Sequence, residues 1–339
     1  MTLSQSVIGE ELDKTQHEEQ LRQLITEAEE GYRVSDFLIR PEASLSAVYD
    51  SNIFATRNKE VEDFLLVFTP SLSGISDWKQ HELRFDLGGS FGQYEDESKE
   101  NYDDYWTNLE GRYDISENTN LFGGLGYSFE HEDRGSPEDT LVGDKPTTFS
   151  SANTHAGIAH NWKKFALRLG GTFERLNFDD ESPVNNDDRD RELSGLGLRF
   201  AYRIHPRYTI YTQGVWDDRD YDSSADDNNF ERDSDGYRAD VGVLAQFSNR
   251  LKGEAYIGWI DQSYDDSRFS DVSELDFGGR LTWRAAPRTT WSAVIDRSLE
   301  ETTLFGASSY LFTSITGNVN HLITPRLSLG ASVSVCEAD

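Results

Sequence analysis

Arg191 to Tyr221 reads RELSGLGLRFAYRIHPRYTIYTQGVWDDRDY: a long strand, a tight turn and a second strand. On the first arm Leu196, Leu198, Phe200, Tyr202 and Ile204 fall on one face, and Gly197, Arg199, Ala201 and Arg203 on the other. Alternation at period two marks a strand with one apolar and one polar side. His205-Pro206-Arg207 makes the turn, because proline presets φ and cannot donate to a ladder. The return arm, Tyr208 to Trp216, is mixed, and its pattern assigns no faces. Beyond it Asp217, Asp218, Asp220 and Asp222 form a charged segment with no core pattern. The hairpin is apolar on one side, short-turned at one end and acidic at the other.

The same unit recurs along the chain. Leu38–Asp50, Glu82–Tyr94, Phe165–Glu174, Tyr237–Phe247, Leu275–Arg284 and Leu327–Val335 alternate in the same way. Short turns centre on residues 78, 117, 163, 206, 249, 287 and 325, a repeat of about 40 residues. Longer acidic connections lie between them, near 50–61, 94–104, 131–147, 178–192, 217–235, 263–272 and 299–307. Seven turns and seven loops join fifteen strands, starting near Phe37. Closed single-chain bacterial barrels usually have even counts. A sixteenth, returning strand is missing from this count, and Cys336-Glu337-Ala338-Asp339 lacks a terminal aromatic, so the expectation is a truncated or altered C-terminus.

The chain has 339 residues, 36% hydrophobic and 12% aromatic, with a net charge of −30. That acidity argues against a nucleic-acid partner, because phosphate contacts need basic surface. One cysteine, Cys336, permits no intrachain disulfide and no zinc spacing. The opening MTLSQSVIGEELDKTQHEEQ lacks the basic and apolar regions of a signal peptide, so the expectation is a processed or miscalled N-terminus. The longest wholly apolar run, Phe64 to Phe68, falls far short of the roughly 20 residues of a membrane helix. Residues 8–30 carry a thin helical stripe, either a plug or docking helix or a loose arm. The domain reading is an N-terminal amphipathic, periplasmic segment at 1–36 and an outer-membrane barrel at 37–339.

Long strands, polar faces with small and charged residues, and loops long on one side only favour a transmembrane antiparallel up-and-down β-barrel. Trp106, Tyr127, Tyr202, Tyr208, Trp216, Trp283 and Trp291 fall toward strand ends, as an interfacial girdle requires. A seven-bladed propeller shares the period but needs four short strands per repeat and a Gly-His to Trp-Asp signature. A soluble sandwich would leave too many apolar rows without a partner.

Pro41, Tyr49-Asp50-Ser51-Asn52-Ile53-Phe54, Pro70 and Ser76-Asp77-Trp78 resemble the opening of a family of outer-membrane β-barrel porins, some encoded among exopolysaccharide or capsule genes. Ser51 stands where the family motif has a second Asp. The resemblance covers residues 32 to 335 and implies a barrel of about sixteen strands.

The histidines, His17, His81, His131, His155, His160, His205 and His321, are scattered, and only His155 reads as lumen-facing. No GxSxG, HExxH or paired-carboxylate signature stands out, so the reading is not an enzyme, with no cofactor. The lumen set is Arg40, Glu42, Arg84, Asp86, Glu110, Arg112, Arg168, Glu174, Arg199, Arg203, Arg238, Asp240, Asp276, Arg280 and Arg284. Arginines facing carboxylates across a pore create a transverse field and bind hydroxyls or carboxylates of a passing solute; alternatively they pair with one another and stiffen the wall. The acidic loops offer Asp217, Asp218, Asp220, Asp233 and Asp235 for weak divalent binding, although Glu231 to Gly242 fails the calcium-loop pattern at both ends. The expected partners are outer-membrane lipid and lipopolysaccharide, a hydrophilic solute or polysaccharide, and a protein at the external loops. The functional expectation is a channel for passage or export of such solutes. The alternative is a structural barrel whose acidic loops bind a partner or filament.

Overall fold

A computed structural model describes residues 31–136, 145–181, 185–302, 307–324 and 327–338. The helix expected over residues 8–30 lies outside them. The described residues form one antiparallel sheet whose strands neighbour one another in sequence order. Its first half is β1 (Tyr32–Val34), β2 (Phe37–Asp50), β3 (Asp63–Ser76), β4 (Glu82–Tyr94), β5 (Tyr102–Ser116), β6 (Thr119–His131), β7 (Thr148–Asn161) and β8 (Phe165–Phe178). Its second half is β9 (Arg191–His205), β10 (Tyr208–Tyr221), β11 (Ser234–Ser248), β12 (Leu251–Tyr264), β13 (Val272–Ala286), β14 (Thr289–Glu301), β15 (Ser309–Thr324) and β16 (Leu327–Ala338).

The fifteen long strands are those read from the repeat, and β1 is an addition of three residues. It folds back on β2 through Ser35, whose φ of 55° gives the tight reversal. The strands run farther into the acidic segments than pattern suggested. β10 continues to Tyr221 and β11 starts at Ser234. Asp217, Asp218, Asp220 and Asp235 therefore belong to strands, with Asp218 opposite Asp235 in the ladder, and not to loops.

The sheet curls but is not closed. One cavity of about 650 Å3 is lined by residues from β5 through β14. β1 and β16 end the sheet, and no ladder joins them among the described residues. Because all neighbours are antiparallel, the long outer strands β2 and β16 run in the same direction and cannot meet in an antiparallel ladder.

Burial is the inverse of a water-soluble protein. On β9, Leu196, Leu198 and Phe200 are exposed while Gly197, Arg199 and Ala201 are buried. Across the described residues the fully buried positions are more often polar or charged than hydrophobic. Water would not tolerate this arrangement, whereas hydrocarbon outside and a polar lumen inside require it. The mixed β10 is resolved by register. Thr212 faces Phe200 and Val241 on the apolar side, and Gln213 faces Arg199 and Asp240 on the polar side.

Aromatic residues ring both ends of the apolar face. Tyr113, Tyr208, Trp283 and Trp291 are exposed toward the short turns, and Tyr49, Tyr127, Trp216 and Trp259 toward the long loops. Trp106 is a correction to the expected girdle: its indole N–H donates to Asp86 Oδ1 at 2.7 Å, on the inner wall.

Candidate functional site: the polar inner wall

Even-numbered residues of β4 and β5 share the inner face through the pairs Arg84↔Glu110 and Asp86↔Asn108. Small residues there let long side chains reach across a strand. Gly124 of β6 lies between Glu110 and His155, and His155 Nε2 sits 3.1 Å from Glu110 Oε2. Arg40 lies 3.7 Å from its neighbour Glu42. Arg84 and Arg112 converge on Glu82, and Arg112 Nε also reaches Asp114 at 3.1 Å. Glu174 accepts from Ser151 Oγ at 2.6 Å. Arg168 lies over the Phe122 ring, 3.6 Å from its centroid, a cation–π contact.

The densest network spans β9 to β13. Arg199 Nε donates to Gln213 Oε1 at 2.8 Å, and Gln213 Nε2 donates to Asp240 Oδ2 at 2.8 Å. Glu254 gathers Arg199 at 3.5 Å, Arg280 at 3.6 Å and the Tyr211 hydroxyl at 2.7 Å. Arg238 Nε stands 3.0 Å from Asp276 Oδ2, and Asp276 is fully buried. Arg203 and Arg284 stand apart at the short-turn rim, exposed. Arg40, Arg84, Arg112, Arg199, Arg238 and Arg280 thus lie beside carboxylates of the wall, the stiffening arrangement.

Pattern reasoning missed Glu82, Tyr211, Gln213 and Glu254. Their signal was register. Once β9 is fixed, the ladders carry its inner face to Gln213 and then Asp240, and from β11 to β12 at Leu244↔Glu254.

The long-loop side carries its own scaffold. Arg232 is buried, with Nε donating to Asp226 Oδ2 at 2.9 Å, and the Phe230 and Phe269 rings stack at 5.0 Å. The side-chain hydrogen bonds from Arg268 hold the Asp266 carboxyl well below the usual range. Burial pushes Asp188, Asp190 and Asp233 upward, reinforced by neighbouring acids such as Asp227 beside Asp188 and Asp220 beside Asp233. Of the five aspartates considered for divalent binding, only Asp233 joins a cluster of suitable geometry. Its partners are Glu231 and Asp265, with one ligand oxygen from each of the three within 4.8 Å of the others. Asp217, Asp218, Asp220 and Asp235 are not part of it.

The six described histidines are tied to neighbours or turns. His131 Nδ1 lies 2.9 Å from Asp104 and its ring stacks on Tyr102. His81 and Asp114 exchange contacts through their backbone amides, and His160 and His321 reach threonine hydroxyls. His155 has Glu110, and His205 Nδ1 accepts from the Arg207 amide in the turn.

Long strands with an apolar exterior, aromatic belts and a charged interior define the class: an outer-membrane β-barrel of the porin kind. The chain belongs to the family described as "Putative beta-barrel porin 2", which it matches over residues 28–339. Solved structures of similar fold include the ferric preacinetobactin receptor BauA from Acinetobacter baumannii, 8% identical over 91% of this chain and 58% of that one, with a TM-score of 0.54. The ferric citrate transporter FecA is 8% identical over 90% of this chain and 52% of its own, with a TM-score of 0.51. The FrpB iron transporter from Neisseria meningitidis is 9% identical over 92% and 55%, with a TM-score of 0.50. At these identities the likeness is one of fold alone, and the chain spans little more than half the length of these proteins. A comparison of the sequence with curated proteins finds no match.

Proposed function

We propose that the protein is a non-enzymatic outer-membrane channel for passive passage of hydrophilic solutes. The observation that carries this reading is the inverted burial: leucine and phenylalanine rows outside, and an arginine–carboxylate network inside around a cavity lined by both charged and apolar side chains. Guanidinium and carboxylate groups on the wall offer hydrogen bonds to hydroxyl-rich solutes and replace part of their hydration. Arg40, Glu42, Arg84, Asp86, Glu110, Arg112, Arg168, Glu174, Arg199, Arg203, Arg238, Arg280 and Arg284 are the proposed lining, with Asp240 and Asp276, both buried, bracing it from within. Export of polysaccharide is the narrower form of the same proposal. The apolar belt contacts outer-membrane lipid.

One observation favours the second reading, a structural barrel whose acidic loops bind a protein partner. The tips of β14 and β15 reach inward to contact β10 and β12, narrowing the lumen. Reconstitution of the refolded full chain separates the two. The channel reading expects stepwise conductance in planar bilayers and swelling of proteoliposomes in small sugars. Absence of both, with the protein shown to be folded and inserted, would overturn it and leave the structural reading.

A further inference from the structure

The β13–β14 ladder is cut short. It runs only from Gly279↔Ile295 to Ala286↔Thr289, so the long-loop half of β13 has no β14 partner. The β14–β15 ladder nevertheless continues to Glu301↔Ser309. Above Ile295 β14 is detached from the wall on the β13 side, and β15 stays paired with β16 only as far as Phe312↔Ala338, so the last pairs, Leu299↔Leu311 to Glu301↔Ser309, form a two-stranded tip. A two-stranded hairpin is not stable alone and must bury a face against something.

It buries that face against the inner side of the neighbouring wall. Leu299 and Leu311 are cross-strand partners, and both are buried against Ile260. Ile260 lies on the inner face of β12, opposite Arg238 of β11. Val272 at the start of β13 packs against the same cluster, so the tip lies over the inner face of β13 and reaches β12. The polar fastenings reach still farther. Glu301 pairs with Arg219 of β10. Arg232, at the foot of the loop before β11, donates to the Thr302 carbonyl at 2.6 Å and to the Ala307 carbonyl. Tyr264 of β12 donates to Ser309 Oγ at 2.6 Å. The cavity below is lined in part by Leu299, Glu300 and Glu301.

We propose that this inward-folded β14–β15 tip is the constriction that sets the size of solute able to pass. Ile260, Leu299 and Leu311 form its apolar sill, and the Arg219–Glu301 pair is its lateral tie. The inference rests on the channel reading above. A buried hydrophobic contact closes the path to water, and the ion pair fixes its position.

The test uses the full-length protein in planar bilayers, with graded polyethylene glycols to find the largest polymer that enters. Arg219→Gln/Glu301→Gln unties the tip without stranding either member of the pair; Asp217, which also lies 3.3 Å from Arg219 Nε, remains partly exposed to water. Ile260→Ala/Leu299→Ala removes sill volume and keeps the tie. The gel shift of unheated protein reports folding of each variant. Both variants should raise single-channel conductance roughly twofold and admit a larger polymer. Folded variants that conduct like the wild type, with an unchanged polymer limit, would overturn the constriction and leave the channel reading standing. Silence of the wild type and both variants would overturn the channel reading and this inference with it.

Discussion

Gly258 stands between Asp240 and Asp276 on the inner wall, paired to both through the ladders. A Cβ there would meet Asp240 Oδ1 and the Ala239 carbonyl oxygen inside contact distance. A side-chain oxygen can turn away, but a ladder carbonyl cannot. Gly258→Ala should therefore lower stability by about 2 kcal/mol, as overpacking does, read as a fall in the urea midpoint for unfolding. Gly317 is the internal comparison, since nothing lies within 4 Å of a Cβ added there. Gly317→Ala should stay within about 0.5 kcal/mol of the wild type. Equal effects at the two positions would mean that the close approach of the two carboxylates around Gly258 is not part of the folded wall.

Each hairpin was legible to the extent that its two faces differ in chemistry. β9 sets leucine and phenylalanine against glycine and arginine, so its faces can be read directly. β10 places Tyr211 and Val215 inside and Thr212 and Gly214 outside, which erases the contrast, and only its pairing with β9 restores it. Aspartate is rare in strands, so pattern alone places the acidic segments in loops. At the rim, ladder hydrogen bonds extend past the apolar belt, and Asp220 and Asp235 there are exposed to water. The inward turn of β14 and β15 left no trace in pattern, because alternation reports faces relative to a strand's own axis and not where its neighbour stops pairing.

The loops between these strands carry a pH dependence of two signs. Asp188, Asp190 and Asp233 have raised carboxyl pKa values in the folded loops, so folding opposes their ionisation at neutral pH. That penalty is relieved as pH falls below their folded values. The Asp266 carboxyl is depressed by Arg268, so its contribution is full above the unfolded value of about 4 and fades below it. Between pH 7 and about 4 the loops should tighten, then loosen in stronger acid. Hydrogen exchange at the Asn228 and Phe230 amides, corrected for intrinsic rates, should slow over the first interval. Faster corrected exchange there would contradict the assignment. Both amides donate to Asp226 within the same loop scaffold.

At the scale of the whole molecule, the fold is a choice of solvent for two faces. A chain with 28% charged residues and a net charge of −30 can still build a membrane protein, because its strands hide their polar rows inside and carry the remaining acids beyond the bilayer. Among the described residues the edge of β2 beyond its short ladder with β1, and that of β16, have no ladder partner, and hydrocarbon would not accept unpaired backbone there, so in a bilayer they must be paired or covered. The central claim is that lipid, not protein, covers the apolar row. It is tested most directly by nitroxide labels placed singly at residues 196 to 201 of β9 in a Cys336→Ser background, with the protein in bilayers. The fold predicts that labels at 196, 198 and 200 collide with oxygen dissolved in the lipid, and that those at 197, 199 and 201 do not. A flat profile along β9, or one with its maxima at 197, 199 and 201, would contradict it.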